Sequence, residues 1–550
     1  MDRVLLRRDG GDAVAADCAP DGTPGHATQV PADELPSWVA AREGGGTVRW
    51  VWDDTTRWYP ALLDAGVRVE RCTDLRLTGA LLRRSPLADP ALLAGDDAAG
   101  WAALEPRAGG DPALFPLEDP ADRLDPAAEL RRQSAALAAS AHGGRLGLLV
   151  AAESSGALAA AEMTWAGLPW RADEHARLLT GLLGDRPPAG LRPPVLERLA
   201  GEVRAALRAP DLNPDSPAAV LRALQTAGLP VEDTRSWTLE RIDHPVVPPL
   251  LEYKRLARLL AANGWAWLDT WVRDGRFRPV FLPGGVVTGR WASHGGGALS
   301  VPVQVRPAAV ADDGWSLVVA DVAQLEPRVL AGMSRDAALA EAARDRDLYA
   351  GMVAAGVVAT RAEAKVGVLG ALYGGTRGES GRMMPRLARR YPRAIGLVED
   401  AARAGERGAV VQTLLGRGSP LPGAAWAERS ADLGEAPEPG GRDSDRARRA
   451  WGRFTRNFVV QGTGAEWALC WLADLRNRLW RLGEGQVHQR PHLVFFLHDE
   501  VVVHTPADLA DRVAGEVRAA AATAGRLLFG DFPLDFPLDV AVVRSWADAG

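Results

Sequence analysis

Two apolar runs, HLVFFL at 492–497 and VVVHT at 501–505, flank His498, Asp499 and Glu500. β-Branched and aromatic residues at this density predict two strands, and the short polar gap joins them as a hairpin with acids at its tip. Unpaired carboxylates beside buried strands cost stability unless they face water or a cation. A second stretch, WSLVVAD at 315–321, ends an apolar run on another acid, Asp321, and LEPRVLAGM follows at helical spacing. Asp321 therefore sits at a strand's carboxyl end. Alone, it reads as the N-cap of the next helix, whose first turn tolerates Pro327.

Paired with Asp499, it reads differently. Two aspartates on neighbouring strand ends, sharing divalent cations, are what in-line phosphoryl or nucleotidyl transfer requires. This needs two strands that are distant in sequence to meet in space. Between them, RAEAKVGVLGALYGG places Arg361, Lys365, Leu369 and Tyr373 at every fourth position, one slowly drifting helical stripe that Gly374 and Gly375 end. A stripe that begins with two cations and ends with an aromatic suits a triphosphate along the first turns and a base near the end. The alternative is a half-exposed amphipathic helix.

At 550 residues the chain is long enough for about three or four domains. Cys18, Cys72 and Cys470 lack metal-ligand or disulfide spacing. No targeting segment and no run of 18 apolar residues is found, so no membrane partner is expected. The net charge of −6 excludes a protein that coats nucleic acid over its whole surface and leaves room for a local basic cleft. Arg377, Arg382, Arg386, Arg389, Arg390 and Arg393 cluster in one stretch, and Lys254, Arg255 and Arg258 in another, each also readable as a solvated helix face.

Residues 1–145 read as a small, irregular α/β domain, and the pattern turns helical from GRLGLLVAAESSGALAAAEM onward. In NPDSPAAVLRALQTAGLP, Ser216 is the expected N-cap, Pro217 the first helical residue, and Gly228 with Pro230 the stop. A helix-rich block is expected over about 348–403, and the charged, Gly/Pro-rich stretch near 423–446 as a flexible insertion.

Taken together, these stretches resemble the family A DNA polymerases, from about Thr238 to the C-terminus. DVAQLEPR stands for that family's motif A, retaining Asp321, Gln324, Glu326 and Arg328. RAEAKVGVLGALYG stands for motif B, and His498, Asp499 and Glu500 for motif C. TGRWAS with Arg290, VVQTLLGRGSPLP with Arg417, and RFTRNFVVQGTGAEWAL with Arg453, Asn457 and Gln461 follow the family's order. The resemblance implies an α+β right-hand fold preceded by a reduced ribonuclease H-like, exonuclease-type α/β domain. Its segments would be 1–145 exonuclease-like, 146–310 helical connection and thumb, 311–345 palm, 346–450 fingers, and 451–550 palm.

It further implies a template-directed DNA polymerase that extends a primer with deoxynucleoside triphosphates. Asp321, the Val322 carbonyl and Asp499 would hold two Mg²⁺, with Mn²⁺ able to substitute. Arg361 and Lys365 would hold the triphosphate, Lys365 taking part in catalysis. Leu369, Tyr373, Gln324 and Glu326 would shape the nucleotide pocket, Glu326 closing it against a 2′-hydroxyl. Arg290, Arg453, Asn457, Gln461, His498, Lys254 and Arg258 would contact primer-template DNA. A monomer in the cytoplasm, associated with the nucleoid, is expected.

Val322, Ala323, Pro327 and Leu369 depart from the family's motifs without removing a metal ligand or a phosphate cation. Alternatives are a single-subunit RNA polymerase, which Glu326 opposes, and a non-catalytic DNA-binding relic, which would be expected to lose an aspartate. In the N-terminal region, Asp54 and Asp74 lie near positions where exonuclease acids are expected, but no Asp-x-Glu occurs in residues 1–150. The stretch before Arg49 reads as short for that fold's opening strands, and 85–125 as poor material for an ordered site. A degenerate domain without proofreading is the expectation.

Overall fold

A computed structural model of the chain describes residues 2–46, 48–106, 119–297, 301–344, 347–375, 378–423 and 442–549. The chain forms two compact units, which cut across the five sequence segments. The first comprises Met1–Ala166, Val280–Ala292 and Gly314–Val542, and the second Gly167–Pro279, Ser293–Asp313 and Val543–Gly550.

The first unit opens with a regular five-stranded sheet of β1 (Asp2–Asp9), β2 (Asp12–Cys18), β3 (Pro24–Val30), β4 (Val48–Trp52) and β5 (Cys72–Asp74), ordered β3-β2-β1-β4-β5. β1–β2 and β2–β3 are antiparallel, whereas β1–β4 and β4–β5 are parallel. This corrects two expectations. The region is not irregular, and the stretch before Arg49 does hold three strands. The turn between β1 and β2 uses Gly10 at φ 62°, a left-handed conformation that glycine adopts without a Cβ clash, so little length is lost to connections. Alternation buries Val4, Leu6, Trp50 and Trp52 on one face, with Trp58 and Tyr59. Leu5 and Val51 lie on the other, with Leu75 and Trp101.

A second sheet of four strands has the order His492–Leu497, Glu500–Pro506, Trp315–Val322, Leu538–Val543. Its hairpin arms and the Trp315–Val322 strand run antiparallel. Behind it the Arg442–Trp480 helix packs against helices Gly143–Ala166, Pro392–Glu406 and Ala510–Phe529. That helix begins inside the stretch expected to be flexible, because packing against Pro392–Glu406 extends to its N-terminal part: Arg448 Nε donates to the Glu406 carbonyl at 3.0 Å. Most of the expected insertion, and Arg377, lie outside the described residues.

Gly143–Ala166 is the one helix among the described residues long and apolar enough to cross a membrane, with a mean hydropathy of 1.3, yet it is mostly buried within the first unit. Two buried acids on it explain its position. Glu162 is bound by Arg476 at 2.6 Å and accepts a hydrogen bond from the Tyr59 hydroxyl at 2.5 Å. Glu153 is bound by Arg417 at 2.6 Å. A buried carboxylate is tolerable only with such partners.

The second unit is mostly helical and includes Pro194–Ala206, Pro217–Thr226 and Val247–Asn263. Ser216 caps Pro217–Thr226 by accepting from the Ala219 N–H, as its sequence predicts.

Candidate active site

The antiparallel register pairs Asp321 with Glu500, and the Val322 N–H donates to the Asp499 carbonyl at 3.0 Å. The two strand ends therefore meet, and both aspartates stand at one edge of the sheet. Asp321 is exposed and does not cap the following helix, whose N-cap is Gln324 at φ 51°. Leu497 pairs with Glu500, so His498 and Asp499 alone form the hairpin loop. His498 takes φ 58°, rare for a residue with a Cβ, and such conformations concentrate where function holds the backbone in place.

Burial raises the Asp499 carboxyl above the usual carboxylate range, with Glu326 and Glu500 adding negative field and Arg290 opposing them. Such a surrounding favours a bound cation as much as a bound proton. Among the described residues no three His, Cys, Asp or Glu side chains form a cage able to hold a metal alone. The donor set of two carboxylates and a strand-end carbonyl fits Mg²⁺, which typically uses one or two protein carboxylates and takes its other ligands from water and phosphates. The His498 imidazole is pushed down to about 4 by burial and by the Arg290 charge, so it is neutral near pH 7.

Facing this edge, Glu326 holds two partners. Arg290 Nη2 donates to one of its oxygens at 2.5 Å and the Tyr373 hydroxyl to the other at 2.8 Å. Burial and the Glu326 charge push the Tyr373 phenol up to about 12, so it stays a donor, and Gln461 hydrogen-bonds the same hydroxyl. A small cavity of about 70 Å³ is lined by Arg290, Leu325, Glu326, Phe496, His498 and Asp499, among others.

Tyr373 ends the Arg361–Tyr373 helix. Thr360 and Glu363 open that helix with a reciprocal capping box, and Gly374 closes it at φ 73°. A Cβ at Gly374 would lie 2.6 Å from Arg453 Cγ, so glycine here admits the Arg453 stem. Lys365 is exposed, Leu369 is half-buried, and the buried Asn457 Oδ1 has no hydrogen-bond partner among the described residues.

Two of the expected nucleotide-site residues have partners of their own. Arg361 binds Asp347 at 2.6 Å, and that contact holds its guanidinium firmly charged. Gln324 Oε1 accepts from the Leu348 N–H at 3.1 Å, at the start of the helix Leu348–Ala354. Asp347, the N-cap of that helix, was missed. The only signal is an acid before LYAGMVA, which marks a cap and says nothing of a tertiary partner. Arg328 is fully buried, donates to the Ala323, Ala343 and Asp535 carbonyls, and is pushed down to about 10 by burial, which makes it a brace under motif A. In the second unit, Lys254 donates to the Thr234 carbonyl, and with Arg258 and the exposed Trp237 it lines a groove.

The paired acids on a four-stranded sheet, beside a helix carrying cations, define a right-hand polymerase fold. A solved structure described as the POL domain of Pol1 from M. smegmatis, in complex with DNA primer-template and dNTP, has this fold. Its TM-score is 0.68 at 20% identity, covering 100% of this chain and 95% of that one. The chain belongs to DNA polymerase family A, whose sequence profile matches residues 213–548. The thermostable DNA polymerase I of Thermus filiformis is 29% identical over 339 residues, 56% of this chain, and that of Thermus thermophilus 29% over 330 residues, 54% of it. The matching stretch spans 37% and 36% of those relatives' own length.

Proposed function

We propose that the chain is a template-directed DNA polymerase that adds deoxynucleotides to a primer 3′ end and does not proofread. The observation that carries this is the meeting of Asp321 and Asp499 at one sheet edge through the Val322–Asp499 hydrogen bond. Asp321, Asp499 and the Val322 carbonyl would hold two Mg²⁺, which when bound would activate the primer hydroxyl and offset charge on the phosphates. Lys365, exposed and without an ion pair among the described residues, is placed to take the triphosphate and stabilise the oxygens that gain charge as pyrophosphate leaves. Arg361 joins it once released from Asp347. Glu326, held from two sides, fills the space beside C2′ of the sugar. Arg290, Arg453, Asn457, Gln461 and the neutral His498 contact the primer end and the minor groove, whose acceptors are similar for every correct pair.

The helices of the second unit, with Lys254 and Arg258, act as the thumb, and the helices between 348 and 406 as fingers. The strand order β3-β2-β1-β4-β5 supports a ribonuclease H-like N-terminal domain, and its acids are already committed. Asp54 caps the Thr55–Asp64 helix and binds Arg57 and Arg76. Asp74 accepts from Thr55 N, Thr55 Oγ1 and Leu77 N, and burial next to Asp54 pushes it up to about 6. Neither is available to hold a metal. A monomeric enzyme of the cytoplasm, working in replication or repair, fits these features.

Primer extension with Mg²⁺ tests the reading. Asp321→Asn and Asp499→Asn should each abolish extension while keeping most DNA affinity, and normal extension by either variant would overturn it. Running the wild type with ribonucleotides alone separates a DNA from an RNA polymerase.

A further inference from the structure

A cavity of about 190 Å³ lies between the N-terminal sheet and the helices Pro126–Ala139 and Gly143–Ala166, and neither Asp54 nor Asp74 lines it. Alternation puts Arg3 and Arg49 on the sheet face of Leu5 and Val51, and the parallel register sets the two side by side. Both line the cavity, and neither forms an ion pair among the described residues, although Arg42 in the adjoining groove is paired with Asp17 at 2.7 Å. Arg49 Nη1 donates to the Cys72 carbonyl at 3.0 Å and Arg3 Nη1 to the Pro20 carbonyl at 3.1 Å. Burial pushes the Arg49 guanidinium below its ordinary value, and the charges of Arg71 and Arg3 act the same way. Adjacent cations with no acid opposite them cost stability unless an anion lies across them. Glu129, the buried acid of the Pro126–Ala139 helix, is already bound by Arg83 and Arg132 and does not line the cavity.

The Pro126–Ala139 helix presents Leu130, Gln133, Ser134 and Leu137 to the cavity, at the i, i+3, i+4, i+7 spacing of one face. Gln133 Nε2 donates to the Leu75 carbonyl at 2.8 Å and to Glu129 at 2.7 Å, which fixes the amide and leaves its buried Oε1 an acceptor without a donor. The buried Thr78 hydroxyl lines the same cavity and also has no partner among the described residues. Buried polar atoms are ordinarily satisfied, so a ligand that met these two would carry hydroxyls. Ser134 Oγ accepts from Arg3 at 3.5 Å and keeps its own proton to donate. Two guanidinium groups and a hydroxyl donor suit the three terminal oxygens of a phosphate better than the two of a carboxylate. The volume is below the roughly 300 Å³ at which pockets for drug-sized molecules begin, so the ligand is small. We propose that this cavity binds a small phosphorylated sugar, its phosphate held by Arg3 and Arg49 and its hydroxyls by Thr78 and Gln133. The inference stands apart from the polymerase reading.

Titration calorimetry on the full chain in phosphate-free buffer tests this, with ribose 5-phosphate, inorganic phosphate and ribose as probes. The wild type should bind ribose 5-phosphate saturably, inorganic phosphate more weakly, and ribose not measurably. Arg49→Gln and, independently, Arg3→Gln should each weaken ribose 5-phosphate by roughly 10- to 100-fold, as for a lost hydrogen bond to a charged group. Thr78→Val keeps the side chain's shape, so it should weaken ribose 5-phosphate and leave inorganic phosphate unchanged. Thermal unfolding reads folding separately. Ribose 5-phosphate should raise the midpoint of the wild type but not of Arg49→Gln, whose midpoint without ligand should be no lower than the wild type's. Three calorimetric results would overturn the proposal: no saturable binding by the wild type, undiminished binding by both arginine variants, or equal wild-type affinity for ribose 5-phosphate and inorganic phosphate. Displacement of ribose 5-phosphate by a lower concentration of a 5′-phosphorylated oligonucleotide would overturn it too, by making the cavity a nucleic-acid contact.

Discussion

At the residue scale, the proposed choice of sugar rests on the Arg290–Glu326–Tyr373 contact. Glu326 is held from two directions, so its carboxylate cannot swing away without breaking two charge-assisted hydrogen bonds. Glu326→Ala should raise ribonucleotide use, measured as the ratio of kcat/KM for the two sugars, by roughly 10- to 100-fold, the range expected when a pocket stops excluding one small group. Arg361 and Lys365 should behave differently from each other. Lys365→Ala should lower kcat/KM for the nucleotide about 10- to 100-fold, as for a lost hydrogen bond to a charged group, with primer-template affinity unchanged. Asp347→Asn keeps the helix cap but removes the charge that competes for Arg361, so the nucleotide KM should fall about threefold. A rise in KM would show instead that Asp347 positions Arg361 for the phosphates.

At the element scale, the Arg442–Trp480 helix carries Glu466, fully buried, its oxygens accepting from the Thr413 hydroxyl and from the Leu415 N–H at 3.0 Å. Burial pushes this carboxyl up to about 7 from an ordinary 4.5, against the Thr413 hydrogen bond and Arg417. Below pH 4.5 the group is protonated in both the folded and the unfolded chain. Between 4.5 and 7 the folded chain binds the extra proton, so stability should fall as pH rises through that window, by on the order of 3 kcal/mol at most. Glu466→Gln should flatten the midpoint of urea unfolding over the same window.

Elements were readable where local pattern and tertiary role agreed. HLVFFL and WSLVVAD are β-rich and end on acids, and the motif B helix carries both its caps in its sequence. DAVAADC was not read as a strand because alanine and aspartate dominate it, nor PGHATQV because it opens on proline and glycine and lacks an apolar run. Pairing of the first along β1, and of the second along β2, supplies what propensity does not. Asp347, Gln324 and the commitments of Asp54 and Asp74 were hidden for another reason: their partners come from elsewhere in the fold, and spacing does not report them.

At the scale of the whole molecule, the locked acids of the N-terminal domain predict the absence of an activity. A primer with a mismatched 3′ end, incubated with Mg²⁺ or Mn²⁺ and no nucleotides, should stay full length. Shortening that persists in Asp499→Asn but vanishes in Asp54→Asn would locate a working exonuclease there. Converting Asp54 to a ligand would require more than adding an Asp-x-Glu to β1, since Arg57 and Arg76 would have to be displaced as well.

The buried Arg476 guanidinium is satisfied jointly. Glu162 neutralises it, while Tyr59 and the Val69 and Glu70 carbonyls, all contributed by the N-terminal domain, accept its remaining protons. The N-terminal β-sheet domain is therefore part of the foundation on which the Arg442–Trp480 helix rests. A shortened chain starting at residue 143 would keep Glu162 but expose a cationic wound where those acceptors were, and it should aggregate on expression. On the proposed reading, the same dependence would retain a domain that no longer proofreads, because deleting it would cost the polymerase its footing.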